Sequence, residues 1–334
     1  MKQVAIAGNV ILDVVKNIET FPQKGMLVNI SQTSYAVGGC VCNTGIDLKR
    51  LAPALDVRAY GRVGRDSYAD YILNAMKKEG IDVSGVRKCD LPTSYSDVMT
   101  LASGERTFFH AKGANVAFCA EDVAAEQPDL FHLGYLLLLD ALDEQDGEYG
   151  TKAARLLAHM QKKGVQTSID LVSAQTADFR ATVAPALQYC DYAVINEVEG
   201  GMLAGIEPRG EHGAPVMENL RRICESILSF GVKRSVTIHC PELSCAVDAQ
   251  GNFSSLASLA LPKGYIAGTV GAGDAFCAGM LYSFTQGLPL GEGMRIASCA
   301  AACNLAALDS VSGARRLEDA LKLETLYGRR KDIC

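Results

Sequence analysis

The chain has 334 residues, of which 49% are hydrophobic and 21% charged, enough to bury the core of one large α/β domain or two modest ones. Its formal net charge is −6, with Lys and Arg dispersed. That argues against a nucleic-acid partner, because affinity for polyanions comes largely from Lys and Arg neutralising phosphates. The opening MKQVAIAGNVILDVV has one Lys before its apolar run and Asp13 inside it, so neither secretion nor membrane insertion is expected, and the expected location is cytoplasmic. The twelve cysteines are scattered, many in apolar segments, as are Cys277, Cys299 and Cys303. Their spacing lacks the repeated Cys/His pattern of a structural zinc site, so they read as buried free thiols and no metal is assigned to them.

In chain order, a buried strand runs from Val4 to Ala7 and stops at Gly8. An extended run at Val57–Tyr60 precedes a helical pattern from Ser67 to Glu79, stopped by Gly80. Strand and helix then alternate: strands at Leu130–Leu133, Val165–Asp170, Tyr192–Ile195 and Ser235–Ile238, with helices Lys152–Lys163 and Val216–Phe230 between them. Such alternation predicts an α/β fold with a mostly parallel sheet covered on both faces. Residues 14–37 and 86–113 break the rhythm. They lack helical periodicity and partly alternate, as in Tyr95, Asp97, Met99 and Leu101, which predicts a small β-sheet lid projecting from a single domain.

The most informative segment is Gly268-Thr-Val-Gly271-Ala-Gly273-Asp274-Ala-Phe276, followed by an apolar helical run that stops near Gly287. Glycines before a helix let the backbone turn tightly and aim several N–H groups at one point, where the helix dipole also favours negative charge. The segment reads as an anion hole, while Asp274 alone reads equally as an N-cap. Phe276 stands where a dinucleotide fingerprint needs its third Gly, and no G-x-x-x-x-G-K-[ST] occurs, so neither a Rossmann site nor a P-loop is present.

Here the sequence resembles the ribokinase-type, or PfkB, carbohydrate kinases over nearly its whole length. Thr269 to Phe276 matches the family's C-terminal signature, and Gly38-Gly39-Cys-Val-Cys-Asn43 its N-terminal glycine signature. Asn196-Glu-Val-Glu199 resembles the N-x-x-E motif, and Gly8-Asn9 with Asp13 the sugar-binding start. Gly64 with Asp66, Gly104 to Phe108 and Gly113-Ala-Asn115 match more weakly. The resemblance implies a ribokinase-like α/β/α sandwich with a β lid. It further implies ATP-dependent phosphorylation of a primary hydroxyl of a small sugar of ribose, fructose or ketodeoxygluconate type.

By the same resemblance Asp274 is the base, and the N–H groups of Gly271, Ala272 and Gly273 hold charge on the γ-phosphate. Asp13, Asn9, Gly38, Gly39 and Asn43 bind the sugar. Asn196 and Glu199 organise Mg²⁺, largely through water, and their spacing also reads as a capping pair. Thr237, His239, Gly273 and Asn304 lie on the nucleotide side, where Asn304 reads equally as a buried structural amide. The pattern departs from the family at three places. His239-Cys-Pro-Glu242 replaces a Gly-x-x-Gly turn, Gly268 stands where relatives activated by K⁺ carry Asp, and Val172 replaces an Asn. A nucleoside acceptor is the alternative within the same chemistry, with Tyr35, Tyr95, Phe108 and Phe109 available to cover a base. A non-catalytic sugar-binding protein is the alternative of another class. A homodimer through the lid is expected, with Leu27, Val37, Met99 and Leu101 as candidate contacts, and Arg329, Arg330 and Lys331 read as a solvated tail.

Overall fold

The computed structural model describes residues 2–123, 125–173 and 178–331. The strands, in chain order, are β1 (Gln3–Gly8), β2 (Ile11–Ile18), β3 (Ile30–Gly38), β4 (Asp56–Val63), β5 (Asp82–Lys88), β6 (Tyr95–Leu101), β7 (Arg106–Ala111) and β8 (Leu130–Gly134). After the short pair β9 (Gln145–Asp146) and β10 (Gly150–Thr151) come β11 (Gln166–Ile169), β12 (Tyr192–Asn196), β13 (Ser235–His239), β14 (Leu243–Asp248) and β15 (Phe253–Ala257). The helices are α1 (Cys40–Leu51), α2 (Ser67–Lys78), α3 (Asp140–Asp143), α4 (Lys152–Lys162), α5 (Phe179–Leu187), α6 (Glu197–Ala204), α7 (Met217–Ser229), α8 (Ala272–Gln286), α9 (Leu290–Asn304) and α10 (Leu317–Tyr327).

Among the described residues the large sheet has nine strands in the order β15-β14-β13-β12-β11-β8-β1-β4-β5. Strands β13 to β5 run parallel, and β14 and β15 add an antiparallel edge beside β13. Alternate residues of one strand feed opposite faces. Val4 and Ile6 pack with Ile46, Ile72 and Phe276 from α1, α2 and α8, whereas Ala5 and Ala7 face the layer holding Leu156, Val183 and Ile223 from α4, α5 and α7. Each fully buried aliphatic side chain contributes about 1.5–3 kcal/mol, so this two-sided core sets the fold. Helix ends follow local chemistry: Asp66 and Thr151 cap α2 and α4 by accepting the N–H groups of Ala69 and Ala154. Asp66 also accepts from Thr93, so the Gly64/Asp66 match is a structural brace.

The second sheet has the order β3-β2-β6-β7. Its strands correct the expected boundaries. β5 pairs with β4 in the large sheet, so residues 86–88 belong to the main body, and the second stretch begins at β6. The first begins at Ile11, three residues beyond the end of β1. Val37 is buried in the main core and is no surface contact. Arg329 is no solvated tail either: it pairs with Glu324 at 2.6 Å and donates to the Ala257 carbonyl, fastening the chain end to β15. Among the described residues no helix is long and apolar enough to cross a membrane. The described cysteines are free thiols, buried except for the partly covered Cys89 and Cys119.

Candidate active site

Parallel strands leave their carboxyl ends on one rim, where ligands bind in open α/β sheets. Here Gly8 pairs with Gly134 and Asn196 with His239, so β1, β8, β12 and β13 end level, with Asp170 just past β11 between them. β2 and β3 leave and return at this rim. The first turns of α1 and α8 open onto it.

Asp274 sits there, 8% exposed. It is the third residue of α8, whose N-cap is Gly271, so it is not the cap the spacing allowed. Its Oδ2 accepts from Asn43 Nδ2 at 3.0 Å, and its Oδ1 from the hydroxyls of Tyr135 at 2.5 Å and Thr44 at 3.3 Å. Burial pushes the carboxyl above its ordinary range, and these donors pull against that shift. Asn43 also accepts from Ser310 at 2.8 Å, so, besides the sugar contact the resemblance implies, it clamps the carboxylate. Thr44 and Tyr135 were missed. Thr44 follows a singled-out motif residue, but Tyr135 stands after a strand with no spacing signal.

The turn before α8 needs its glycines. Gly271 has φ +78°, and a Cβ there would lie 2.4 Å from the Ser310 carbonyl. The first N–H groups of a helix have no partner inside it, which leaves those of Gly273 and Asp274 at the mouth; Ala272 N–H leans to the Thr269 carbonyl at 3.4 Å.

Asp13, on β2, is the second carboxylate of the cleft. Burial foremost, then the charge of Asp274, raises it to about 7, with Arg106 of β7 pulling the other way. Gly38 and Gly39 are required beside it: a Cβ on Gly38 would come within 2.7 Å of Asp13 Oδ2, and Gly39, at φ +81°, would strike the Asn9 carbonyl at 2.5 Å. Asn9 is fully buried, donates to the Tyr135 carbonyl at 2.9 Å and accepts from Asn115 at 3.1 Å. It is therefore part of the floor beneath Asp13 rather than a surface open to a sugar, and the weak Gly113-Ala-Asn115 match supplies its partner.

Asn196 and Glu199 form a reciprocal cap at the start of α6, with Asn196 accepting from Glu199 N–H at 2.9 Å and Glu199 from Asn196 N–H at 3.1 Å. Ser173 donates to the other Glu199 oxygen at 2.9 Å. Both carboxylate oxygens thus accept a hydrogen bond within the protein. The site still fits a hard divalent ion. Asp170, buried, is raised well above its ordinary value by burial and by the charges of Glu199 and Asp274. A cation would relieve that repulsion. Gly268 brings no carboxylate for a monovalent ion and packs on the Ala307 carbonyl, so K⁺ lacks the ligand that position supplies elsewhere.

A neighbouring cavity of about 530 Å³ runs from Asn196 and His239 past Gly273 and Phe276 to Ala301, Ala302 and Leu305, with Arg330 on its wall. It suits the flat apolar faces of a nucleotide base. His239 closes the strand, tilts on Phe276 at 4.9 Å and is held neutral by burial, down at about 4. Neither Thr237 nor Asn304 lines this cavity. Thr237 is buried within β13 with its hydroxyl unpartnered. Asn304 donates to the Ser310 and Val270 carbonyls at 2.8 and 3.4 Å, which favours the structural of its two readings: it binds the α9 exit loop to the glycine turn.

The model of the pfkB family carbohydrate kinases matches residues 1–313. The chain is similar to the ribokinase of Schizosaccharomyces pombe, 21% identical over 345 residues that span 99% of this chain and 100% of that one. It is 27% identical over 305 residues to the 2-dehydro-3-deoxygluconokinase of Dickeya dadantii, covering 84% and 87% of the two chains. Arabidopsis thaliana ribokinase, solved in complex with ribose and ATP, superposes with a TM-score of 0.79 at 20% identity, covering 97% and 99%. That likeness shows the fold, and the family match runs through both carboxylates and the glycine turn, so this chain belongs to the pfkB family of carbohydrate kinases and is a phosphotransferase acting on a sugar.

Proposed function

We propose that the protein transfers the γ-phosphoryl group of ATP to a primary hydroxyl of a small sugar of ribose, fructose or ketodeoxygluconate type. One observation carries this reading: a buried carboxylate, Asp274, stands in the first turn of α8, oriented by Asn43, Thr44 and Tyr135 and near enough to a second carboxylate, Asp13, for its charge to be felt there. Phosphoryl transfer asks the protein for in-line positioning, charge neutralisation and a proton acceptor. Asp13 accepts sugar hydroxyls, and Gly38 and Gly39 let the ring approach the backbone. Asp274 takes the proton of the attacking hydroxyl, and the N–H groups of Gly273 and Asp274 at the start of α8 face the transferring group. The base of ATP lies against Ala301, Ala302 and Leu305. Asn196 and Glu199, with Asp170 beside them, would hold Mg²⁺ through water, and the bound ion would supply positive charge to the phosphates.

An ADP-release screen over ribose, fructose, 2-keto-3-deoxygluconate, sugar phosphates and nucleosides tests the acceptor. The expected result is turnover on an unphosphorylated sugar or sugar acid that exceeds turnover on any nucleoside by at least about tenfold, the difference one lost hydrogen-bonded contact makes. Preference for a nucleoside would overturn the acceptor class, and silence across the panel would overturn the catalytic reading.

A further inference from the structure

We propose that His132, Asp170 and Cys277 form a binding site for a soft divalent cation of the zinc class, buried beneath the catalytic carboxylate, whose occupation switches the kinase off. His132 lies on β8, Asp170 just beyond β11, and Cys277 on α8 one turn after Asp274. One donor atom from each lies within 4.8 Å of the others, and His132 and Cys277 are fully buried.

The donors are ordered for ligation. Ser168, also fully buried and directly across from His132 in the sheet, meets His132 Nδ1 at 3.1 Å. With the proton on Nδ1, Nε2 keeps its lone pair, as a metal-binding imidazole requires. Burial holds the ring neutral, with its pKa lowered to about 3. Nε2 lies 3.7 Å from Cys277 Sγ, whereas the N···S edge of a tetrahedral zinc site, from bond lengths of about 2.0–2.1 and 2.3 Å, is about 3.6 Å. The two strongest donors therefore already stand at ligand spacing. Gly134 leaves room beside these donors: a Cβ placed there would be 2.8 Å from Cys40 Sγ and 3.5 Å from Asp170 Cβ.

Ligation converts the Cys277 thiol to thiolate, releasing its proton to solvent, and turns Asp170 toward the ion. Both moves bear on catalysis. Asp170 leaves the carboxylate group formed with Glu199 and Asp274, and α8 is drawn at a residue one turn from the base. A hard cation such as Mg²⁺ does not compete for a sulfur and imidazole pair. This inference stands on the residues alone, but the inhibition arm rests on the kinase reading above.

The probe is Co²⁺, then Zn²⁺, titrated into the full chain without nucleotide. A sulfur-to-cobalt charge-transfer band saturating at one ion per chain is expected, abolished in Cys277→Ala and kept in the Cys89→Ser/Cys119→Ser double variant. Zn²⁺ should lower wild-type kcat at least about tenfold with excess Mg²⁺ present and leave Cys277→Ala unaffected; that variant should match the wild type when a zinc-selective chelator is added. Absence of the band, its survival in Cys277→Ala or its loss in the Cys89/Cys119 variant overturns the site. If Cys277→Ala does not fold, zinc anomalous scattering from wild-type crystals decides: a peak between His132 Nε2 and Cys277 Sγ supports the site, and none there refutes it. A band without inhibition keeps the site but refutes the switch, while inactivity of the metal-free protein on every sugar refutes the kinase reading alone.

Discussion

At the residue scale, the two carboxylates of the cleft, Asp274 buried and Asp13 half-buried, have opposite demands. Asp274 is encircled by donors, so Asp274→Asn can turn its amide oxygen to Asn43 and its NH₂ to the rotatable hydroxyls of Tyr135 and Thr44. Shape is kept and the base is lost. The expected result is a fall in kcat of roughly 10²–10⁴-fold with ATP affinity unchanged, read by steady-state kinetics and nucleotide titration; a wild-type kcat would remove Asp274 from the base role. Asp13 differs because its burial is poorly compensated. Folding raises it from its ordinary 3.8 to about 7, so between those values the folded chain holds the extra proton and stability falls as pH rises. Asp13→Asn should therefore melt higher than the wild type above pH 7, with the gap closing below about pH 4. The same variant should lose about 10–150-fold in acceptor kcat/KM, the loss of a charge-assisted contact worth roughly 1.5–3 kcal/mol. Equal melting at pH 8 would mean that Asp13 carries no such burden.

At the element scale, a glycine turn and a loop are locked together. Ala at 271 would occupy φ +78° and push its Cβ against the backbone of Ser310, whose hydroxyl holds Asn43. Left-handed backbone costs about 1–3 kcal/mol where a side chain is forced into it, and the clash has only backbone to move. Gly271→Ala should lower both the melting temperature and kcat, whereas Gly287→Ala, also left-handed but with open space around it, should affect stability alone; equal kcat losses would refute the coupling. This coupling explains what the sequence could carry. Long periodic segments such as α2, α4 and α7 were legible to within a residue or two, and so were the glycine turn and Asp13, because period and turn chemistry are local. The antiparallel β14 and β15 were not read, although Gln250-Gly251, with Gly251 at φ +81°, marks the turn between them. α5 carries Pro185 and little amphipathic contrast, so its period is weak. Tyr135, the clamp formed by Asn43, and the structural duties of Asn9 and Asn304 depend on partners 6 to 231 residues away. Such pairings leave no mark in spacing.

At the scale of the whole molecule, the small sheet and the loop before β3 carry several uncovered apolar side chains. The sheet's edge strand β3 has six consecutive exposed residues, and Leu27 beside it is 84% exposed, with Met26, Tyr35, Phe108 and Phe109 also open. An exposed sheet edge presents unpaired N–H and C=O groups that invite pairing with another chain unless covered. Exposed apolar side chains of this kind mark contact surfaces, and a two-fold pairing would bury the same residues on both copies. Val37 belongs to the core and Met99 and Leu101 are half-buried, so a pairing contact would fall chiefly on Leu27, with Tyr35, Phe108 and Phe109 as further exposed candidates. Arg106 of the same sheet donates to the Leu308 carbonyl at 2.7 Å, spanning from the sheet to the α9 exit loop. Pairing would thus brace the sheet over the sugar side of the cleft. Light scattering at micromolar concentration should give twice the chain mass, and Leu27→Asp with Phe109→Asp should halve it. Because Asp13 lies on β2 in this sheet, the monomeric variant should also bind its acceptor more weakly, with a KM raised several-fold, while its affinity for ATP, set in the main body, stays the same. A wild-type mass equal to one chain would refute the dimer, and a monomeric variant with unchanged acceptor KM would show that pairing covers the sheet without bracing it.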